Sequence, residues 1–199
     1  MLTTDHIFSC IEDCSDCCIN REYFPSIKYG KIGVLLLPHE KASLERKAMD
    51  LKSRITILPR LGISSLEIKN GPEIIIAFQL MGTRSDGNYC PFLDIFSASR
   101  SPHGGYICSI YNTRPLACQA YPVLKESKST LLLDSNCAYS CKYGGACSPK
   151  LMDGEIMALQ EIKNAVRPGK YPNIWRYATH IGEKKFRDQF LPEGWYIEP

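Results

Sequence analysis

Apolar residues along the chain fall into a few clear patterns. Lys31 to Leu37 is a short, nearly continuous apolar run closed by Pro38, which predicts a buried strand. From His39 to Lys52, Leu44, Ala48 and Leu51 recur at helical spacing and predict a helix. Ile55 to Leu58 and Glu73 to Gln79 are further strand candidates, the second rich in β-branched residues and preceded by an Asn70-Gly71-Pro72 turn. Ser129 to Leu133 predicts another strand. Met152, Ile156, Leu159, Ile162 and Val166 then keep a helical period behind Ser148-Pro149, a capping serine with proline at the first helical position, and Pro168-Gly169 closes the run. The pattern predicts an α+β fold: one small cysteine-rich domain over residues 1–147, with a C-terminal helix and an aromatic tail over 148–199 packed on it. The tail holds Trp175, Tyr177, Phe186, Phe190, Trp195 and Tyr196. It is expected to lie across the domain surface or to contact a partner protein.

Composition narrows the function classes. The 199 residues are 44% hydrophobic and 23% charged, ordinary values for a soluble globular protein. A net charge of +3 spread along the chain lacks the concentrated basic face that nucleic acid requires. The longest apolar runs, Val34 to Leu37 and Ile74 to Phe78, are too short to cross a bilayer. No targeting segment opens the chain, so a cytoplasmic location with reduced thiols is expected.

Ten cysteines change the picture. Cys10, Cys14, Cys17 and Cys18 fill four of nine consecutive positions. A stripe that needed only apolarity would be built from Leu, Ile and Val, so these thiols predict a metal ligand set. Their spacing places all four on one face of a helix, with Glu12, Asp13 and Asp16 opposite. A helix starting near Thr3, Thr4 or Asp5 and carrying Ile7, Cys10, Ile11 and Cys14 is expected. One tetrahedral ion draws its sulfurs to within roughly 4 Å, yet Cys10 and Cys18 stand about 12 Å apart along a helix. Only a folded knuckle would bring both to one ion. Neighbouring side chains leave a helix roughly 100° apart. Cys17 and Cys18 are therefore expected to feed two different centres.

A second group follows, Cys90, Cys108, Cys118, Cys137, Cys141 and Cys147. Gly87-Asn-Tyr-Cys90-Pro-Phe-Leu-Asp94 and the block from Cys108 through Tyr111, Arg114 and Pro115 to Cys118 and Pro122, taken with the N-terminal cluster, closely resemble the YkgJ-like cysteine-cluster family. That family is described by a CxxCxxCC motif, is thought to chelate zinc or iron, and includes a flagellin lysine N-methylase. Two incomplete cysteine groups in one chain imply shared ligation by Cys14, Cys17, Cys18, Cys90, Cys108, Cys118 and Cys137. Cys10 comes next, because three residues separate it from Cys14 where the motif has two. Cys141 and Cys147 lie beyond the matched blocks, as extra ligands or structural thiols. Arg114 is the candidate cofactor-binding side chain, with its donors aimed at a carboxylate, a cluster sulfide or backbone carbonyls; the plainer reading is a loop brace. Tyr111, Tyr121 and Phe92 read as an apolar shell around metal, and Asp94 as a cap or an arginine partner. His6, His39, His103 and His180 show no ligand spacing.

Three functions are consistent with these residues. An iron–sulfur protein would hold a cubane, a 4Fe–4S cluster, through thiolates from both halves of the chain, with a role in protein methylation or electron transfer. A structural zinc adaptor would staple loops with all-thiolate sites. Cys10-x3-Cys14-x2-Cys17 also matches the spacing of a radical S-adenosylmethionine enzyme, but Asp16 stands where that motif has an aromatic and no strand precedes it. The wide spacing of Cys90, Cys108, Cys118 and Cys137 favours the iron–sulfur reading over paired zinc hooks. No phosphate-binding glycine loop follows a strand, so any reaction rests on the resemblance alone.

Overall fold

A computed structural model describes residues 11–26, 29–65, 71–83, 88–101, 104–127, 130–143, 146–147, 152–167, 169–179 and 194–197. In chain order the first elements are α1 (Asp16–Ile19), β1 (Tyr23–Ser26), β2 (Gly30–Ile32), β3 (Val34–Leu36), α2 (Pro38–Asp50), β4 (Ile57–Ser64) and β5 (Ile74–Leu80). Then follow β6 (Leu93–Asp94), β7 (Ile107–Cys108), a 3-10 turn (Tyr111–Thr113), α3 (Leu116–Ala120), β8 (Val123–Glu126) and β9 (Leu131–Leu133). The last are α4 (Ala138–Tyr143), β10 (Ala146–Cys147), α5 (Asp153–Ala165), β11 (Asn173–Tyr177) and β12 (Trp195–Ile197). The chain is α+β, as its pattern predicts. Its contacts divide it into two compact units that both use two stretches of sequence.

One unit, Asn20–Pro91 with Asn164–Pro199, is built on a five-stranded antiparallel sheet in the order β12-β11-β4-β5-β3. The run from Lys31 to Leu37 is two strands, not one, because it breaks at Gly33. A Cβ there would stand 2.0 Å from the Leu80 carbonyl oxygen, so only glycine lets the backbone pass so close to β5. The Gly33 N–H donates instead to the Gln79 side-chain oxygen, 3.1 Å away. Pro38 stops the strand by opening α2, and Glu40 accepts the Leu37 N–H at 2.8 Å to close the helix start. Leu44 and Ala48 are the buried stripe of this helix.

β4 runs well past the predicted Leu58. Pro59, Arg60 and Gly62 interrupt the apolar pattern, and the strand carries them through irregular pairing on either side of Leu61. The described part of the aromatic tail forms β11 and β12 of this sheet rather than a surface layer. Trp175 is 1% exposed, Trp195 is nearly as buried, and the Trp175 indole N–H donates to Ser64 Oγ at 2.9 Å. Antiparallel pairing with β4 gives these large rings an interior to fill. Phe186 and Phe190 lie outside the described residues.

The other unit is Met1–Ile19 with Phe92–Lys163. One apolar cluster of its described residues is Val123, Leu131, Leu133, Met152 and Ile156, with Tyr139 and Leu159 packed against them, and Phe92, Ile110, Ala120, Ala158 and Ile162 are buried as well. β8 and β9 of the three-stranded sheet β10-β9-β8 supply part of that cluster, and Met152 just ahead of α5 with Ile156 on it supplies the rest. The predicted start of α5 at Ser148-Pro149 lies outside the described residues. The expected N-terminal helix does not extend through Cys14. Asp13 adopts φ 60°, in the left-handed region that ends a helix, and the Cys14 N–H closes a turn onto the Ile11 carbonyl at 3.0 Å. Only then does the four-residue α1 begin. The cysteine stretch is a knuckle.

Candidate metal centre

The knuckle is held by a loop that the cysteine pattern did not single out. Ser15 is buried, and its hydroxyl oxygen accepts the Tyr106 N–H at 2.8 Å across 91 residues of sequence. A Cβ on Gly105 would lie 2.2 Å from the Cys14 carbonyl oxygen, and one on Gly104, at φ 87°, would lie 2.6 Å from Asp13 Oδ1. Two adjacent glycines therefore let backbone meet backbone where any side chain would push the knuckle away. From this docking point the chain enters β7, where Cys108 pairs with Leu93 of β6. The knuckle is thus joined to the segment that carries Cys108 through Ser15, Gly104, Gly105 and Tyr106.

Within α1 the Cys17 and Cys18 sulfurs are 3.9 Å apart. The two neighbouring thiols thus converge, where side-chain directions on a helix alone would have them diverge. Helix geometry fixes where each Cα–Cβ bond leaves the backbone, but rotation about χ1 decides where the sulfur ends.

The remaining thiols of this unit are set by short local structure. Cys118 lies on α3, with its N–H on the Pro115 carbonyl at 2.8 Å. Cys137 is buried just ahead of α4, its N–H on the Asp134 carbonyl at 3.0 Å. One turn later Cys141 is exposed and its thiol donates to the Ser135 carbonyl at 3.2 Å. Cys147 lies in β10 opposite Leu131, and Cys10 and His103 fall outside the described residues. Cys90 belongs to the other unit, where it is 6% exposed. Arg114 holds its own loop: Nε donates to the Tyr111 carbonyl at 3.2 Å, and the guanidinium sits 4.1 Å from the centre of the Tyr111 ring. Gln119 closes the loop by donating to the Arg114 carbonyl at 2.6 Å. Phe92 is fully buried, but Tyr111 is exposed, because its ring is turned to Arg114. Asp94 caps the following turn by accepting the N–H groups of Phe96 and Ser97.

Residues 9–138, about two thirds of the chain, match the model of the CxxCxxCC family, described as "Putative zinc- or iron-chelating domain". The chain belongs to the CxxCxxCC family. No curated protein and no solved structure matches it. The CxxCxxCC match contains Cys10, Cys14, Cys17, Cys18, Cys90, Cys108, Cys118 and Cys137 and ends before Cys141 and Cys147. Membership makes this a metal-binding domain of the zinc- or iron-chelating kind.

The donors fit such a metal in kind. They are thiols, which both zinc and iron accept as thiolates, and the Cys17–Cys18 separation is that of two sulfurs on one tetrahedral ion, about 3.8 Å for 2.3 Å bonds. Among the described residues no three His, Cys, Asp or Glu side chains yet stand together as a metal-holding group. The Cys17–Cys18 pair thus has the spacing of two ligands on one tetrahedral ion. Among the described residues, too, no helix is long and apolar enough to cross a membrane.

Proposed function

We propose that this protein holds a single zinc ion through thiolates of the knuckle-bearing unit, with Cys17 and Cys18 both on that ion, and that the ion serves as a structural staple. The 3.9 Å sulfur–sulfur distance carries the reading. A cubane spreads its thiolates over four irons, whereas a single tetrahedral ion wants its sulfurs at this spacing. Cys14, Cys108, Cys118 and Cys137 of the same unit are the candidates for the remaining positions. Closing the site then draws the short helices α3 and α4 toward the knuckle, so that site formation and folding of this unit are linked. The wide cysteine spacing that favoured an iron–sulfur cluster is equally suited to a staple between short elements.

Metal analysis of the full chain and of Cys17→Ser and Cys18→Ser tests this. Near one equivalent of zinc in the parent, lost equally in both variants, supports the staple. Iron with matching acid-labile sulfide, or different portions of metal lost in the two variants, overturns it.

A further inference from the structure

The sheet-bearing unit carries a charged patch that neither its core nor the metal centre uses. At the end of α2 and in the turn after it stand Arg46, Lys47, Lys52 and Arg54, against one acid, Asp50. Their net +3 equals the charge of the whole chain, so the remaining residues balance. Arg46 and Met49 lie one turn apart on the outer side of α2, away from the buried Leu44 and Ala48. Arg46, Lys52 and Arg54 are exposed and Lys47 is half-buried. Among the described residues no carboxylate pairs with any of these four side chains.

The turn that ends α2 adds a second observation. The Lys52 N–H donates to the Met49 carbonyl at 3.1 Å, and the Ser53 N–H to the Ala48 carbonyl at 2.8 Å. In this double closure the residue after the cap turns left-handed, a position that glycine ordinarily fills. Lysine fills it here, at φ 53°. A side chain kept where its Cβ is disfavoured, with no described partner in the fold, points to a use outside it. The same turn sends two apolar side chains into water, Met49 at 70% exposure and Leu51 at 46%. The cations alone have a local explanation, since a helix C-terminus attracts positive charge. The apolar pair has none.

Together the two features define the partner. A nucleic acid backbone would take the cations but gives Met49 and Leu51 nothing to enter. An anionic bilayer takes both, because its headgroups attract Lys and Arg and its acyl boundary accepts Met and Leu. We propose that the C-terminal end of α2 and its closing turn, Arg46 to Arg54, dock on an anionic lipid surface. The chain lies on that surface through this tip and does not span it. Met49 and Leu51 enter the interface, and Arg46, Lys47, Lys52 and Arg54 meet lipid phosphates around them.

Co-sedimentation of the full, metal-loaded chain with phosphatidylcholine vesicles, neutral or carrying about one third phosphatidylserine, tests it. The anionic vesicles bind at least about tenfold more tightly, and the gain falls as salt rises above about 0.1 M. Arg46→Gln and Lys52→Gly each weaken that binding about fivefold. Glycine suits the left-handed position, so the second loss does not come from misfolding. Met49→Ser weakens binding about threefold or more, and metal content stays at the parent level in all three variants. Equal binding to both kinds of vesicle, or unchanged binding in Lys52→Gly or Met49→Ser, overturns the proposal. Tighter binding to polyglutamate or duplex DNA than to the anionic vesicles also overturns it, and names an acidic polymer as the partner.

Discussion

The two units solve the same problem with different means. The sheet-bearing unit has strands of seven and eight residues at its centre and buries Trp175, Leu36, Leu37 and Leu80 almost completely. The knuckle-bearing unit has, among the described residues, strands of two to four residues, too short to cover a wide face. Long paired strands remove enough apolar area from water to offset chain entropy. Short strands and loops around nine cysteines remove less, and there the metal is expected to supply what the core lacks. A chain can therefore be half built by burial and half by ligation, and the two halves should fail under different treatments.

The largest expected effect comes from removing metal. Apparent binding energies of structural zinc are about 10–16 kcal/mol, so chelator with reductant should strip hydrogen-exchange protection from α3 and α4. Protection of β4 and β5 should persist; equal loss in both units would erase the comparison. Next comes Trp175→Ala, which should cost about 3–5 kcal/mol in denaturant melts of the sheet while zinc content stays at the parent level. Loss of metal in that variant would mean that the units do not fail separately.

Gly105→Ala should cost about 2–3 kcal/mol, because the added Cβ meets the Cys14 backbone 2.2 Å away and neither chain can yield cheaply. Its signature is faster zinc loss to a competing chelator. Ser15→Ala should be milder, about 1–2 kcal/mol, from the Tyr106 N–H left without its acceptor. The same chelator assay reads it, and metal retention equal to the parent would show that this hydrogen bond does not position the knuckle.

Legibility followed the same division. α2 and α5 were readable because their apolar stripes keep a helical period over 13 residues each. The cysteines were readable as ligands because thiols at such density have no packing rationale. β4 was cut short because Pro59 and Gly62 look like strand breakers and Arg60 interrupts the apolar run, until a bulge accommodates them. The knuckle's support was hidden for a different reason. Ser15, Gly104 and Gly105 act through a close backbone approach between segments 91 residues apart, and no local pattern records that. A glycine pair shortly before a cysteine was the one available signal. The meeting of Cys17 and Cys18 was hidden too, since periodicity describes Cβ directions and not sulfur positions.

X-ray absorption at the metal edge of the purified full chain tests the central claim most directly. The account predicts zinc with a first shell of four sulfurs at about 2.3 Å and no metal neighbour beyond it. A metal–metal shell, the mark of an iron–sulfur cluster, would contradict it.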